Sequence, residues 1–130
     1  EHALRDYGLH LGLAFQMVDD QLDYLGTPEE LGKNIGDDLA VGNVTLPLIV
    51  VMRNGQPVQK AFIEDAIRNG GVEHLPEMIQ LVKATDALKY TSEQANTERC
   101  QAIECLNNVA ESDFTGSMRT LVNFVVDRHH

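Results

Sequence analysis

Apolar residues recur at the spacing of an α-helix wherever glycine and proline do not interrupt this chain. Leu75, Met78, Ile79 and Val82 stand at i, i+3, i+4 and i+7, and Met118, Leu121, Val122 and Val125 repeat the interval. Residues so spaced share one face of a 3.6-residue helix. No stretch alternates convincingly at period two, so no sheet is expected. A first helix is expected from about Leu4 to Leu25, stopped at Gly26-Thr27-Pro28. Residues 29–43 hold Gly32, Gly36, Gly42 and several charges, and read as a loop with at most one helical turn. A second helix starts near Thr45 as N-cap, with Pro47 in its first turn, and ends at Asn54-Gly55. A third covers about Val58 to Arg68 and is closed by Gly70-Gly71. Beyond the Leu75–Val82 segment, Thr85 can cap a further helix from Ala87 to about Val109, and the Met118–Val125 helix comes last. The fold class is therefore all-α, a helical bundle.

A chain of 130 residues suits one domain or a piece of one. A hydrophobic share of 43% argues against disorder. The formal net charge of -10 argues against a nucleic-acid partner, whose phosphates it would repel. The same charge suits carboxylates partly neutralised by bound cations, and it equally suits an ordinary acidic protein. Cys100 and Cys105 lie five residues apart in one helical segment, where they point in different directions and do not easily bridge. Without a disulfide framework, a reducing, cytoplasmic setting is expected. The longest strongly apolar run, Leu46 to Met52, is far too short to span a bilayer. Glu1 begins no signal peptide, and the absence of an initiator Met suggests a portion of a longer protein.

The first helix carries the chemistry. Leu9, Leu11, Leu13, Ala14, Phe15, Met17, Val18, Leu22 and Leu25 surround it with apolar side chains, the pattern of a buried helix. Inside it stand Asp19, Asp20 and Asp23. Asp19 and Asp23 share a face, with Gln16 one turn earlier and Gly12 one turn before that. Uncompensated buried carboxylates cost several kcal/mol each, so a polar stripe on a buried helix must line a cavity. No Lys or Arg stands within the next turn to pair with them, and a hard divalent cation is the natural partner. A solvated helix end before Gly26 would also account for three aspartates. An EF-hand loop is excluded, because Tyr24 stands where that loop needs glycine. The next element, Gly32-Lys33-Asn34-Ile35-Gly36-Asp37-Asp38-Leu39, sets a lysine on a glycine-rich loop that can approach a phosphate. Alone it is a weak signal, since most such lysines are solvated charges.

Taken together, the run Phe15-Gln16-Met17-Val18-Asp19-Asp20-Gln21-Leu22-Asp23-Tyr24 resembles the second aspartate-rich motif of trans-prenyl diphosphate synthases. Gly32 to Leu39, then Gly42 and Thr45-Leu46-Pro47-Leu48, resemble the segment immediately carboxy-terminal to that motif in the family, over more than thirty consecutive residues. The form with Gly-Asp-Asp-Leu and Thr-Leu-Pro-Leu looks most like octaprenyl and related long-chain bacterial enzymes that feed quinone side chains. The resemblance implies an isoprenoid-synthase bundle, of which residues 1–130 would be the carboxy-terminal helices. It implies that Asp19, Asp20 and Asp23 hold Mg2+ on the diphosphate of the allylic substrate. Gln16 would line that pocket, Phe15 would pack near the prenyl tails, Lys33 would touch the diphosphate, and Asp38 would support. The reaction implied joins an allylic prenyl diphosphate to isopentenyl diphosphate, in a full-length protein that forms a homodimer. One departure is Asn43, where the family usually carries a lysine that contacts diphosphate. Another is the lack of a second Asp-Asp-x-x-Asp, which would have to lie upstream with the isopentenyl pocket, so this portion alone is expected to be inactive. Rival readings are a non-catalytic family subunit, a shorter-chain (geranylgeranyl or farnesyl) synthase, a class I terpene cyclase and a helical interaction module.

Overall fold

The structure is a computed structural model that describes residues 2–25, 29, 35–37, 44–68 and 74–128. Among the described residues it is helical, with no strand. The helices are α1 (His2–Leu22), α2 (Leu46–Asn54), α3 (Pro57–Arg68), α4 (Leu75–Ala84), α5 (Ala87–Leu106) and α6 (Asp113–Val126). The all-α class holds, and the boundaries expected at Thr45, Asn54, Val58, Arg68 and Ala87 fall within one residue of their places. In the glycine-rich stretch Glu29 and residues 35–37 are helical, and its other residues, with Gly26 to Pro28 and Gly70-Gly71, lie outside the described residues.

Two helices stop three residues before the apolar pattern does. Past Leu22 the chain tightens, with the Tyr24 amide donating to the Gln21 carbonyl at 3.1 Å and the Leu25 amide to the Leu22 carbonyl at 3.0 Å. Past Leu106 the Asn107 and Val109 amides bond to the Glu104 and Leu106 carbonyls in the same way, each at 3.1 Å. These i→i−3 bonds satisfy the last carbonyls of a helix while ending its regular ladder. Thr85 caps the following helix as expected, its hydroxyl accepting from the Ala87 amide at 3.4 Å, and it also donates to the Val82 carbonyl at 3.1 Å. Thr45 occupies the N-cap position of α2 with extended backbone, but without a side-chain cap bond. At the other end of α2, a Cβ on Gly55 would sit 2.4 Å from the Val51 carbonyl oxygen, so only glycine fits this close approach.

The chain divides into two compact units. One joins the stretch ending at Asp19 to the stretch that begins at Ser92; the other runs from Asp20 to Thr91. In the second, Leu48, Val51, Ile63, Met78 and Val82 form the buried core with Tyr24 and Ile35. In the first, Tyr7, Ala102, Leu106 and Val122 pack together, with Leu11, Ile103 and Met118 against them. The Tyr7 hydroxyl donates to the Met118 carbonyl at 2.8 Å, and His10 Nδ1 lies 2.5 Å from Glu98 Oε2.

Candidate functional site

The acidic run stands at the carboxy-terminal end of α1, and the helix fixes which side each residue takes. Tyr7, Ala14 and Val18 are buried, at intervals that trace one stripe. The opposite stripe carries Gly8, Gly12, Gln16 and Asp19, all exposed. Leu9 (59% exposed), Leu13 and Phe15 (46%) flank it in solvent. This corrects the expectation of a helix buried on all sides: the chain provides apolar partners for one stripe only.

The three aspartates are not equivalent. Asp19 is exposed, Asp23 is half-buried in the turn after α1, and Asp20 is 7% exposed. Consecutive residues on a helix differ by about 100° in direction, which separates Asp19 from Asp20. Gln16, Asp20 and Asp23 each have an interaction partner. Among the described residues, no three His, Cys, Asp or Glu side chains come together so as to hold a metal ion. That geometry excludes an all-protein cage built from them. Asp19 and Asp23 present carboxylate oxygens, the donor type that a hard divalent cation takes. Lys33, Asp38 and Asn43, the loop groups expected at the diphosphate, lie outside the described residues.

Phe15 has a neighbour that sequence reasoning did not assign. The Arg128 guanidinium carbon lies 4.4 Å from the centre of the Phe15 ring, and its Nη2 donates to the Phe15 carbonyl at 3.2 Å. At a sequence separation of 113, no local signal announces the pair. Both cysteines are free, and the Cys105 thiol is pushed up by burial and then by Asp6 and Glu104. A cleft of about 360 Å³ lies elsewhere, in the second unit, lined by Asn54, Gln59, Thr85, Asp86 and Tyr90, and none of the acidic run borders it. No described helix is long and apolar enough to cross a membrane.

The family model described as polyprenyl synthetase matches residues 1–83. The chain is 41% identical over 131 residues to an octaprenyl diphosphate synthase of Haemophilus influenzae, covering 100% of this chain and 40% of the relative. It is 40% identical over 125 residues to an all-trans-nonaprenyl-diphosphate synthase (geranyl-diphosphate specific) of Rhodobacter capsulatus, covering 96% of this chain and 38% of the relative. Among solved structures, a polyprenyl synthase from Caulobacter crescentus complexed with calcium and isoprenyl diphosphate superposes with a TM-score of 0.80 at 38% identity, over 98% of this chain and 39% of that one. The heptaprenyl diphosphate synthase of Staphylococcus aureus gives 0.83 at 27% identity, over 98% and 40%. The chain thus spans about two fifths of the length of the relatives it matches.

Proposed function

From a chain that belongs to the polyprenyl synthetase family, we propose the carboxy-terminal portion of a magnesium-dependent trans-prenyltransferase. The whole enzyme extends an allylic prenyl diphosphate with isopentenyl diphosphate to a long-chain product, of octaprenyl length. Identities of 41% and 40% to octaprenyl and nonaprenyl synthases support the long product. The observation that carries the reading is the exposed stripe of Gly12, Gln16 and Asp19 on α1, small and polar on a helix otherwise rich in leucine.

On this reading the glycines leave room along the stripe for a substrate, and Gln16 offers an amide to it. Asp19 and Asp23 present carboxylate oxygens at the helix end. Asp20 adds its charge from a buried position. The residues fit Mg2+, which when bound neutralises the charge of the departing diphosphate. Lys33 adds a cation to the diphosphate, and Phe15 faces the prenyl chain. The surrounding leucines exclude water from the allylic cation, which would otherwise be captured by it. The other substrate site and the remaining acidic residues belong to the amino-terminal part, and the full-length enzyme works as a homodimer.

Steady-state kinetics of the full-length protein with the two diphosphates test this. Wild-type protein should make long-chain product only with a divalent cation, and the 130-residue chain alone should make none. Asp19→Ala should lose several kcal/mol of transition-state stabilisation, a loss of roughly 100-fold or more in kcat. Asn43→Ala removes at most one neutral hydrogen bond, about 1 kcal/mol or roughly fivefold. Equal losses in the two variants would refute the assignment.

A further inference from the structure

Arg128 closes the first unit by folding back from the end of α6 onto α1. Its Nε donates to the Val125 carbonyl at 3.0 Å, one of the carbonyls that α6 leaves without a helical partner. Its Nη2 donates to the Phe15 carbonyl at 3.2 Å, and the guanidinium carbon rests 4.4 Å from the Phe15 ring centre. One rigid group thereby joins the last turn of α6, the backbone of α1 and an aromatic ring. The neighbouring carboxylate does not compete for it, because Asp127 Oδ1 accepts from Arg99 Nη1 at 3.0 Å.

The place where Arg128 grips α1 matters. In an α-helix the carbonyl of residue 15 accepts the amide of residue 19. The Phe15 carbonyl is therefore the acceptor from which the Asp19 turn hangs, and Gln16 is the next residue along. Phe15 is 46% exposed, and the guanidinium packs against its ring. The last turn of α1 carries two aspartates and no basic residue, an arrangement that the helix dipole opposes. Arg128 brings in from α6 the cation that α1 lacks.

We infer that Arg128 is a positioning residue, which clamps Phe15 and the turn presenting Gln16 and Asp19 and so sets how tightly the acidic run takes a metal diphosphate. The inference rests on the prenyltransferase reading and deepens it. Arg128 need not touch substrate; it acts through Phe15. A guanidinium suits the task because it is planar, lies flat on a ring and presents its donors in a rigid fork, a geometry that a compact ammonium does not reproduce.

The test uses full-length protein and two readouts. One is calorimetric binding of magnesium inorganic diphosphate, a probe with no prenyl tail, so that any contact of Phe15 with the tail does not enter. The other is the magnesium concentration that gives half-maximal turnover. Arg128→Ala should weaken binding of the probe by about 3- to 10-fold and raise the magnesium midpoint by a similar factor. Arg128→Lys should fail to restore either. Phe15→Leu should produce the same shift, and the double variant should add little to it, since the two residues act as one unit. A residue that merely held the fold would lower the melting temperature and the active fraction while leaving the midpoint where it was. Unchanged probe binding and midpoint in Arg128→Ala, with Asp19→Ala still shifting both, would overturn the inference and leave the reading standing. Additive effects of Arg128→Ala and Phe15→Leu would overturn it too. If wild-type protein shows no metal-dependent turnover, or Asp19→Ala binds the probe as wild type does, the reading itself fails and the clamp goes with it.

Discussion

Replacing Gly12 with alanine should stabilise this chain and harm the enzyme it belongs to. Gly12 sits in the interior of α1, far from both of its ends, where glycine is a poor choice. Against alanine it costs roughly 0.5–1 kcal/mol, because its backbone loses more freedom on folding. A methyl group at this position meets nothing within 4 Å, so no clash offsets the gain. For a chain of this length the gain corresponds to a rise in Tm of roughly 2–6 °C. Thermal unfolding of the 130-residue chain, followed by far-ultraviolet circular dichroism, reads this directly. Gly8, on the same stripe with the same open surroundings, should behave alike. In the full-length synthase the added methyl would project into the space proposed for substrate, so turnover should fall as Tm rises. A lower Tm in the isolated chain would refute the open geometry around Gly12. A higher Tm with unaltered turnover in the full-length protein would show that the stripe does not border the substrate.

Two further outcomes concern stability alone. Ile63, fully enclosed in the core of the second unit, should cost about 2–5 kcal/mol when cut to alanine, measured by urea unfolding with an unaltered slope; a loss below about 1 kcal/mol would mean that the core is not packed as described. Glu111 accepts from Arg119 Nη1 at 2.7 Å and Nη2 at 2.9 Å, and from the Thr115 hydroxyl at 3.1 Å; the Arg119 bonds first, then Thr115, hold its carboxyl at about 2, below the ordinary 4.5. A lowered carboxylate stabilises the fold above its unfolded value and loses that contribution as pH falls from about 4.5 to about 2. Glu111→Gln should therefore flatten the acid limb of the stability profile in that window, modestly because the pair is exposed, and still less in high salt; an identical limb in both proteins would count against the pairing.

The helices were legible because their signals are local. Apolar spacing needs only the neighbouring turn, and Thr85, Gly55 and Pro47 act on bonds within a few residues of themselves. The start of α6 was less visible. Ser112 and Thr115 form a reciprocal capping box there, with the Ser112 amide donating to Thr115 Oγ1 at 2.9 Å. The usual cue for such a box is glutamate or glutamine at the fourth place, and threonine gives no such cue. Burial was misjudged on α1 for a different reason. Composition around a helix says how much apolar surface exists, whereas burial also requires a partner for every side, and here Tyr7, Leu11, Ala14 and Val18 have one while Leu9, Leu13 and Phe15 stay exposed.

The acidic run shows how a resemblance and a helix constrain each other. As a string, Asp-Asp-x-x-Asp makes its first two members look interchangeable. On α1 they cannot be, because a rotation of about 100° separates Asp20 from Asp19, although each stands about one turn beyond Gln16. The exposures agree: Asp19 stands in solvent and Asp20 is 7% exposed. A buried carboxylate is tolerated when it is partnered, as Asp20 is, and an exposed one is free to change its ligands during a reaction. On the proposed reading, Asp20 would contribute charge from inside and Asp19 would offer oxygens outside. On that division Asp20→Asn, which keeps the shape but removes the charge, should weaken metal binding less than Asp19→Asn does in the full-length protein. Calorimetry with magnesium inorganic diphosphate decides between them, and a larger loss for Asp20→Asn would place Asp20, not Asp19, at the metal.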